Sequence, residues 1–203
     1  MTKGSYLDSL SPTLAKRQGA ILVPGKSAGA AVIFAAPRVV DEVLLIRRAE
    51  REGDPWSGQV AFPGGMVSSS DRSFEETARR ETAEEVGVDL GQGRAEFLGY
   101  MGEFQARTRQ VSVVPSVYRV AATPKVTLSS EAASFQWVPL GSLAREESRS
   151  TYLLERGEAR LAFPSFVYGG LVIWGLTERI ISTILGGGAD PGDGGPARFR
   201  GRP

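Results

Sequence analysis

Apolar positions along the chain follow two different spacings, and these separate strands from helices. Residues 30–35 and 42–48 are short β-rich apolar runs on either side of Pro37, which predicts two adjacent strands joined by a turn. Further strand-like segments stand at 95–100, 112–121 and 134–138. Residues 73–87 read as a helix with both ends written in: Ser73 as N-cap, Glu76 closing a capping box, and Gly87 just past the last turn. Phe74, Ala78, Thr82 and Val86, four apart, give that helix a packing stripe. A second helix is predicted from about 171 to 185, and Leu7, Leu10 and Leu14 suggest a short amphipathic helix or arm near the start.

Strands and helices mix without βαβ regularity, so the expected class is α/β, an α/β/α sandwich rather than a doubly wound sheet. Residues 1–27 are expected to form an arm, 28–185 the domain proper, and 186–203 a flexible tail. The tail holds seven glycines and three prolines and has little apolar surface to offset the entropy of ordering. Residues 54–65, DPWSGQVAFPGG, are too rich in Gly and Pro for a long element and read as a functional loop around a short strand.

Composition narrows the chemistry. The 203 residues carry 24 Lys plus Arg against 23 Asp plus Glu, with no histidine and no cysteine. A net charge of +1 gives no electrostatic case for nucleic-acid binding, and no apolar run approaches a bilayer span, so the expected location is cytoplasmic, away from the membrane. Without His or Cys there is no thiol nucleophile, no Ser-His-Asp triad and no zinc site of the usual kind. Carboxylates, guanidinium groups, hydroxyls, the backbone or a metal held by oxygen must do the work.

The predicted helix supplies such a group. Glu81 and Glu85 stand one turn apart on one face, with Glu84 beside them, and Arg80 is placed to hold part of the cluster ionised. Like charges at this spacing destabilise a bare helix, and a hard divalent cation bound through oxygen compensates them. Taken alone, E-x-x-E-E reads as a solvated acidic face. The Gly-Gly turn ending at Gly65, 15 positions before Arg80, and the closing Gly87 favour a site instead.

The segment from Gly65 to Val88, GMVSSSDRSFEETARRETAEEVGV, resembles the Nudix box, with the R-E-x-x-E-E-x-G-aliphatic core intact at 80–88. One extra residue precedes the core, so Asp71 is the nearest counterpart of the glutamate in the first half of the box, and Thr82 fills an aliphatic place. Both the extra residue and the aspartate resemble a subgroup that includes coenzyme A diphosphatases. LLIRRAEREGDPWSGQVAFPGG from Leu44 resembles the same subgroup's LLTxRS-x3-R-x3-G-x3-FPGG signature, with Ile46 for threonine, Ala49 in a Ser-or-Ala place, one inserted residue, and Arg51 nearest to the second arginine. FQWVPL at Phe135 and IWGLTERI at Ile173 resemble its downstream features, so the similarity spans roughly residues 28–185.

The resemblance implies a Nudix-type sandwich with a mixed central sheet and hydrolysis of the pyrophosphate bond of a nucleoside diphosphate derivative with Mg2+ or Mn2+. Coenzyme A or a CoA derivative leads as substrate, ahead of ADP-ribose and other nucleotide-sugar or dinucleotide compounds. It also implies metal ligation by Glu81, Glu84, Glu85 and the carbonyl of Gly65, with Arg80 supporting. The general base is Glu81 or a later loop acid, for which Glu131, six residues before Trp137, and Glu103 are candidates. Arg48 and Arg51 are candidate phosphate ligands, and Trp56 and Phe62 candidate stacking residues for the base. Family members are often dimers, so a homodimer is among the expected assemblies. A non-catalytic nucleotide-sensing module is the alternative from another class; the intact Arg80, Glu81, Glu84 and Glu85 set argues against it.

Overall fold

The computed structural model describes residues 5–35, 41–106, 111–156, 159–188 and 197–199. In chain order its elements are α1 (Tyr6–Leu10), β1 (Ser27–Ala35), β2 (Glu42–Arg48), β3 (Val60–Ala61), β4 (Gly64–Met66), α2 (Phe74–Val86), β5 (Glu96–Tyr100) and β6 (Phe104–Ala106). There follow β7 (Val111–Val120), β8 (Ala132–Pro139), α3 (Leu140–Leu143), β9 (Arg149–Arg156), β10 (Ala159–Tyr168), β11 (Leu171–Trp174), α4 (Gly175–Leu185) and β12 (Ala197–Phe199).

Every residue of β1 is buried, as a central strand covered on both faces requires. It runs parallel to β7 from Ser27 against Ser112 to Ala35 against Val120, and its other edge pairs antiparallel with β2 and with β4. With β3, β5, β6 and β8 added at the margins, the main sheet is mixed and eight-stranded. Successive β1 side chains alternate between layers. Ala28, Ala30, Val32 and Phe34 join a core with α1, α3, α4, Phe166 and Ile173, while Ala31, Ile33 and Ala35 pack with Ala78 and Val86 of α2. The α/β/α sandwich with a mixed central sheet is therefore present, with α2 the helix that covers one side among the described residues.

The other side is thicker than expected. Strands β9 to β12 form a separate four-stranded sheet, and its inner face adds Phe166 and Ile173 to the core. Residues 171–174 are strand rather than the start of the second helix: Leu171, Val172, Ile173 and Trp174 pair with β10, and α4 begins at Gly175. β-branched and aromatic residues suit that pleated surface. Within the expected tail, Ala197–Phe199 pairs with β10; residues 189–196 and 200–203 lie outside the described residues, as does the turn expected at Pro37. Near the start, Leu7, Leu10 and Leu14 are buried in the main core, and the segment is tied down by Asp41, which accepts from the Ser5 hydroxyl and the Leu7 N–H, and by an Ala15–Tyr100 bridge. Among the described residues no helix is long and apolar enough to cross a membrane.

Candidate active site

Helix α2 is fixed at both ends by its own sequence. The Ser73 hydroxyl accepts from the Glu76 N–H at 3.0 Å, but the Glu76 carboxylate reaches one residue further back than a capping box would, to the Arg72 N–H at 2.8 Å. Gly87 closes the helix in the left-handed region at φ 66°. Two carbonyls of the last turn, those of Glu85 and Val86, accept N–H bonds from Ser129 and Thr127, so the segment leading to Glu131 is fastened to the end of α2. Gly29 lets the helix lie close on β1: a Cβ there would meet the Phe74 carbonyl at 2.7 Å. The stripe Phe74, Ala78, Thr82 and Val86 is wholly buried against the sheet, which turns Glu81 and Glu85 toward the Gly64–Gly65 strand.

Glu85 is only 1% exposed. Its Oε2 accepts the Gly64 N–H at 2.9 Å, and Arg48 Nη1 stands 3.7 Å from Oε1. Burial outweighs both and pushes its carboxyl up to about 7. Glu81, one turn earlier, is raised by desolvation as well, against the opposing pull of Arg80. Glu131 lies near enough for its negative charge to add to the upward shift of each. Arg80 is the hub on the helix: its guanidinium donates to Asp71 (2.9 and 3.2 Å), Glu81 (2.8 Å), Glu84 (3.2 Å) and the Met66 carbonyl (3.1 Å). Asp71 also accepts from the Ser68 N–H and the Thr77 hydroxyl, and Arg80 holds its carboxyl below the usual range.

The loop after β2 brings the other expected residues near. Arg48 points toward Glu85, whereas Arg47 is exposed, in line with the pleat. Arg51 and Glu131 form a half-exposed pair at 3.5 Å, so a phosphate-ligand candidate and a base candidate share one rim. Trp56 is partly buried against the main core with its backbone N–H on Asp54. Phe62 departs from expectation: just after β3 it continues that strand's alternation, so that with Val60 it turns into the main core at 4% exposure and presents no ring face to a base. Glu103 does not join the acidic group either, being bound by Ser112 and Gln105 on β7 and β6. One positioning residue has no signal in its spacing: Asp54 accepts from Arg48 at 2.9 Å and from the Trp56 N–H at 3.0 Å, so it joins the arginine to the loop. Its only hint is an Asp-Pro turn, which many loops share.

Among the described residues no three carboxylates are gathered as a ready cation cage, because Arg80 draws Glu81 and Glu84 aside while Glu85 turns to Gly64. The donor set nevertheless fits a hard cation. All its members are oxygens, two of its carboxylates are desolvated beyond what their partners compensate, and Gly65, having no side chain, lets the Glu81 carboxylate lie against the backbone whose carbonyl is the fourth donor. A Cβ at Gly65 would overlap the Glu81 carboxylate. Gly65→Ala is therefore expected to displace Glu81, lowering turnover about a hundredfold while costing only about 1–3 kcal/mol of stability. Steady-state rates and thermal melts of the variant check this, and wild-type rates would show that Glu81 needs no such space.

The chain matches the NUDIX domain over residues 25–156. It is 37% identical over 136 residues to an uncharacterised Schizosaccharomyces pombe protein, covering 63% of this chain and 41% of that one, so it spans under half of that relative's length. An uncharacterised Nudix hydrolase NudL of Pectobacterium atrosepticum is 31% identical over 177 residues, covering 87% of this chain and 85% of that one. The human mitochondrial coenzyme A diphosphatase NUDT8 is 28% identical over 163 residues, covering 78% and 68%. With the domain matched over residues 25–156 and the acidic helix set against the Gly64–Gly65 strand, the chain belongs to the Nudix hydrolase family.

Proposed function

We propose that this chain hydrolyses the pyrophosphate bond of a nucleoside diphosphate derivative with Mg2+ or Mn2+, and that its substrate is coenzyme A or a CoA derivative. The observation that carries the reading is the pairing of two desolvated carboxylates, Glu81 and Glu85, one turn apart and within electrostatic reach of Glu131, with Arg48 and Arg51 on the neighbouring loop. Glu81, Glu84, Glu85 and the Gly65 carbonyl would hold the cation. When bound, it supplies charge neutralisation for the pyrophosphate and lowers the pKa of the attacking water.

The chain's own groups do the rest. A water oxygen bonds to one phosphorus, the bridging oxygen leaves with the other phosphate, and the water's proton passes to a carboxylate. Glu131 is the acceptor we favour, because it lies on a segment fastened to the end of α2 and stays half-exposed, open to water. Arg48, held by Asp54, and Arg51 offer guanidinium groups to the phosphates, and Trp56 lines the same loop. The coenzyme A choice draws on the likeness to the human diphosphatase and on the Leu44–Gly65 signature.

The test is a substrate panel with product identification, run with each metal. Coenzyme A cleavage gives 3′,5′-ADP and 4′-phosphopantetheine, and ADP-ribose cleavage gives AMP and ribose 5-phosphate. Preference for ADP-ribose would replace the substrate assignment, and no turnover of any nucleoside diphosphate derivative would overturn the enzymatic reading.

A further inference from the structure

The second sheet carries a feature that pyrophosphate chemistry does not use. Strand β9, RSTYLLER, is eight residues long and among the described residues pairs with β10 alone, from Arg149 against Phe166 to Arg156 against Ala159. Its outer edge therefore presents unpaired backbone donors and acceptors along about 26 Å. Sheet edges are usually blunted by proline, charged side chains, a bulge or a very short strand; β9 has no proline and no bulge, and its charges stand only at its ends, Arg149, Glu155 and Arg156, leaving the middle of the edge uncharged. Leu153, in the middle of the strand, is 55% exposed. The outward face of the same sheet is aromatic and aliphatic: Tyr152 stacks on Trp174 at 4.2 Å, Phe163 leans on that indole, and Val167 and Val172 are 44% and 40% exposed.

We propose that the outer edge of β9 pairs antiparallel with the same edge of a second copy of this chain, about a two-fold axis at Tyr152. Paired residues must point to the same face, so the axis passes through a residue rather than between two. Centred on Thr151, the pairing sets Arg149 against Leu153; centred on Leu153, it sets Thr151 against Glu155. Only the Tyr152 register sets Arg149 of each copy against Glu155 of the other, with Thr151 against Leu153 and Tyr152 against Tyr152. The strand is thus self-complementary in charge as well as in shape. Both charged groups can make the exchange: each is solvent-exposed, Arg149 pairs with Glu146 at 3.8 Å while its guanidinium lies 5.6 Å from the Phe166 ring centroid, and Glu155 pairs with Arg160 at 3.1 Å, surface ion pairs that cost little to trade. The two four-stranded sheets then continue into one, and the aromatic faces become contiguous across the axis.

Sedimentation of the full chain over a concentration series tests this. The wild type is expected to dimerise. R149E and E155R each set like charges against one another twice across the axis and are expected to weaken the dimer about tenfold or more. The double variant R149E/E155R restores opposite charges in the same register and is expected to recover the wild-type dissociation constant, with added salt narrowing the gap between the single variants and the wild type. Circular dichroism confirms that the variants are folded, and the recovery itself cannot arise from misfolding. A wild type that stays monomeric to about 100 μM, single variants that dimerise as tightly as the wild type, or a double variant as weak as the singles would each overturn the proposal.

Discussion

Replacing Glu85 by glutamine is expected to remove most turnover, about a hundredfold or more, while leaving the fold intact and raising its stability in the absence of metal. The amide oxygen still accepts the Gly64 N–H, so that bond survives; the lost charge is the one that burial disfavours. A carboxyl whose folded pKa lies above its unfolded value of 4.5 holds its proton more tightly in the native state. The native state then binds more protons than the unfolded chain between about pH 4.5 and about 7, and stability falls as pH rises through that window. The shift corresponds to about 3 kcal/mol for the metal-free protein near neutral pH. Glu85→Gln should therefore melt higher than the wild type at pH 7.5 with chelator present, and the difference should vanish toward pH 4.5. Saturating Mg2+ should stabilise the wild type more than the variant. A wild-type rate in saturating metal would remove Glu85 from the site, and equal melting at both pH values would show that its charge is compensated in some other way.

The same residues show why some of this molecule is legible from sequence and some is not. Helix α2 is written locally: cap, stripe and terminal glycine lie within 15 residues, and short-range rules suffice to read them. Strands β1 and β2 announce themselves by apolar runs that tertiary packing does not contradict. The second sheet hides, because Pro164 interrupts β10, and charged residues stand at both ends of β9. Leu171 to Trp174 could extend the pattern of the following helix, and only pairing with β10 decides for strand. In the site, Glu81 and Glu85 share a helix and a spacing. Asp54, by contrast, matters only because the loop folds back on Arg48, and Phe62 is excluded from stacking only by the direction of a two-residue strand and its flank. Contacts made by chain reversal leave no periodicity to read.

Arg80→Ala should be strongly destabilising for a change at a partly exposed position. Asp71 and Glu81 have side chains only 5% and 15% exposed, and the guanidinium answers both at once while also donating to Glu84 and the Met66 carbonyl. Without it, two desolvated carboxylates lose their main counter-charge, and the expected loss is about 3 kcal/mol or more at neutral pH. The acid limb changes too. Arg80 lowers the Asp71 carboxyl from 3.8, so its contribution is present above that value and is lost as pH falls through the depressed one; in Arg80→Ala this part of the acid dependence should flatten. Lysine separates charge from geometry. It keeps the positive charge but has no planar fork to bridge Asp71 and Glu81 together, so Arg80→Lys should recover part of the stability and little of the turnover. If lysine restores both, the arginine acts as a point charge only, and the orientation of Glu81 owes nothing to its fork.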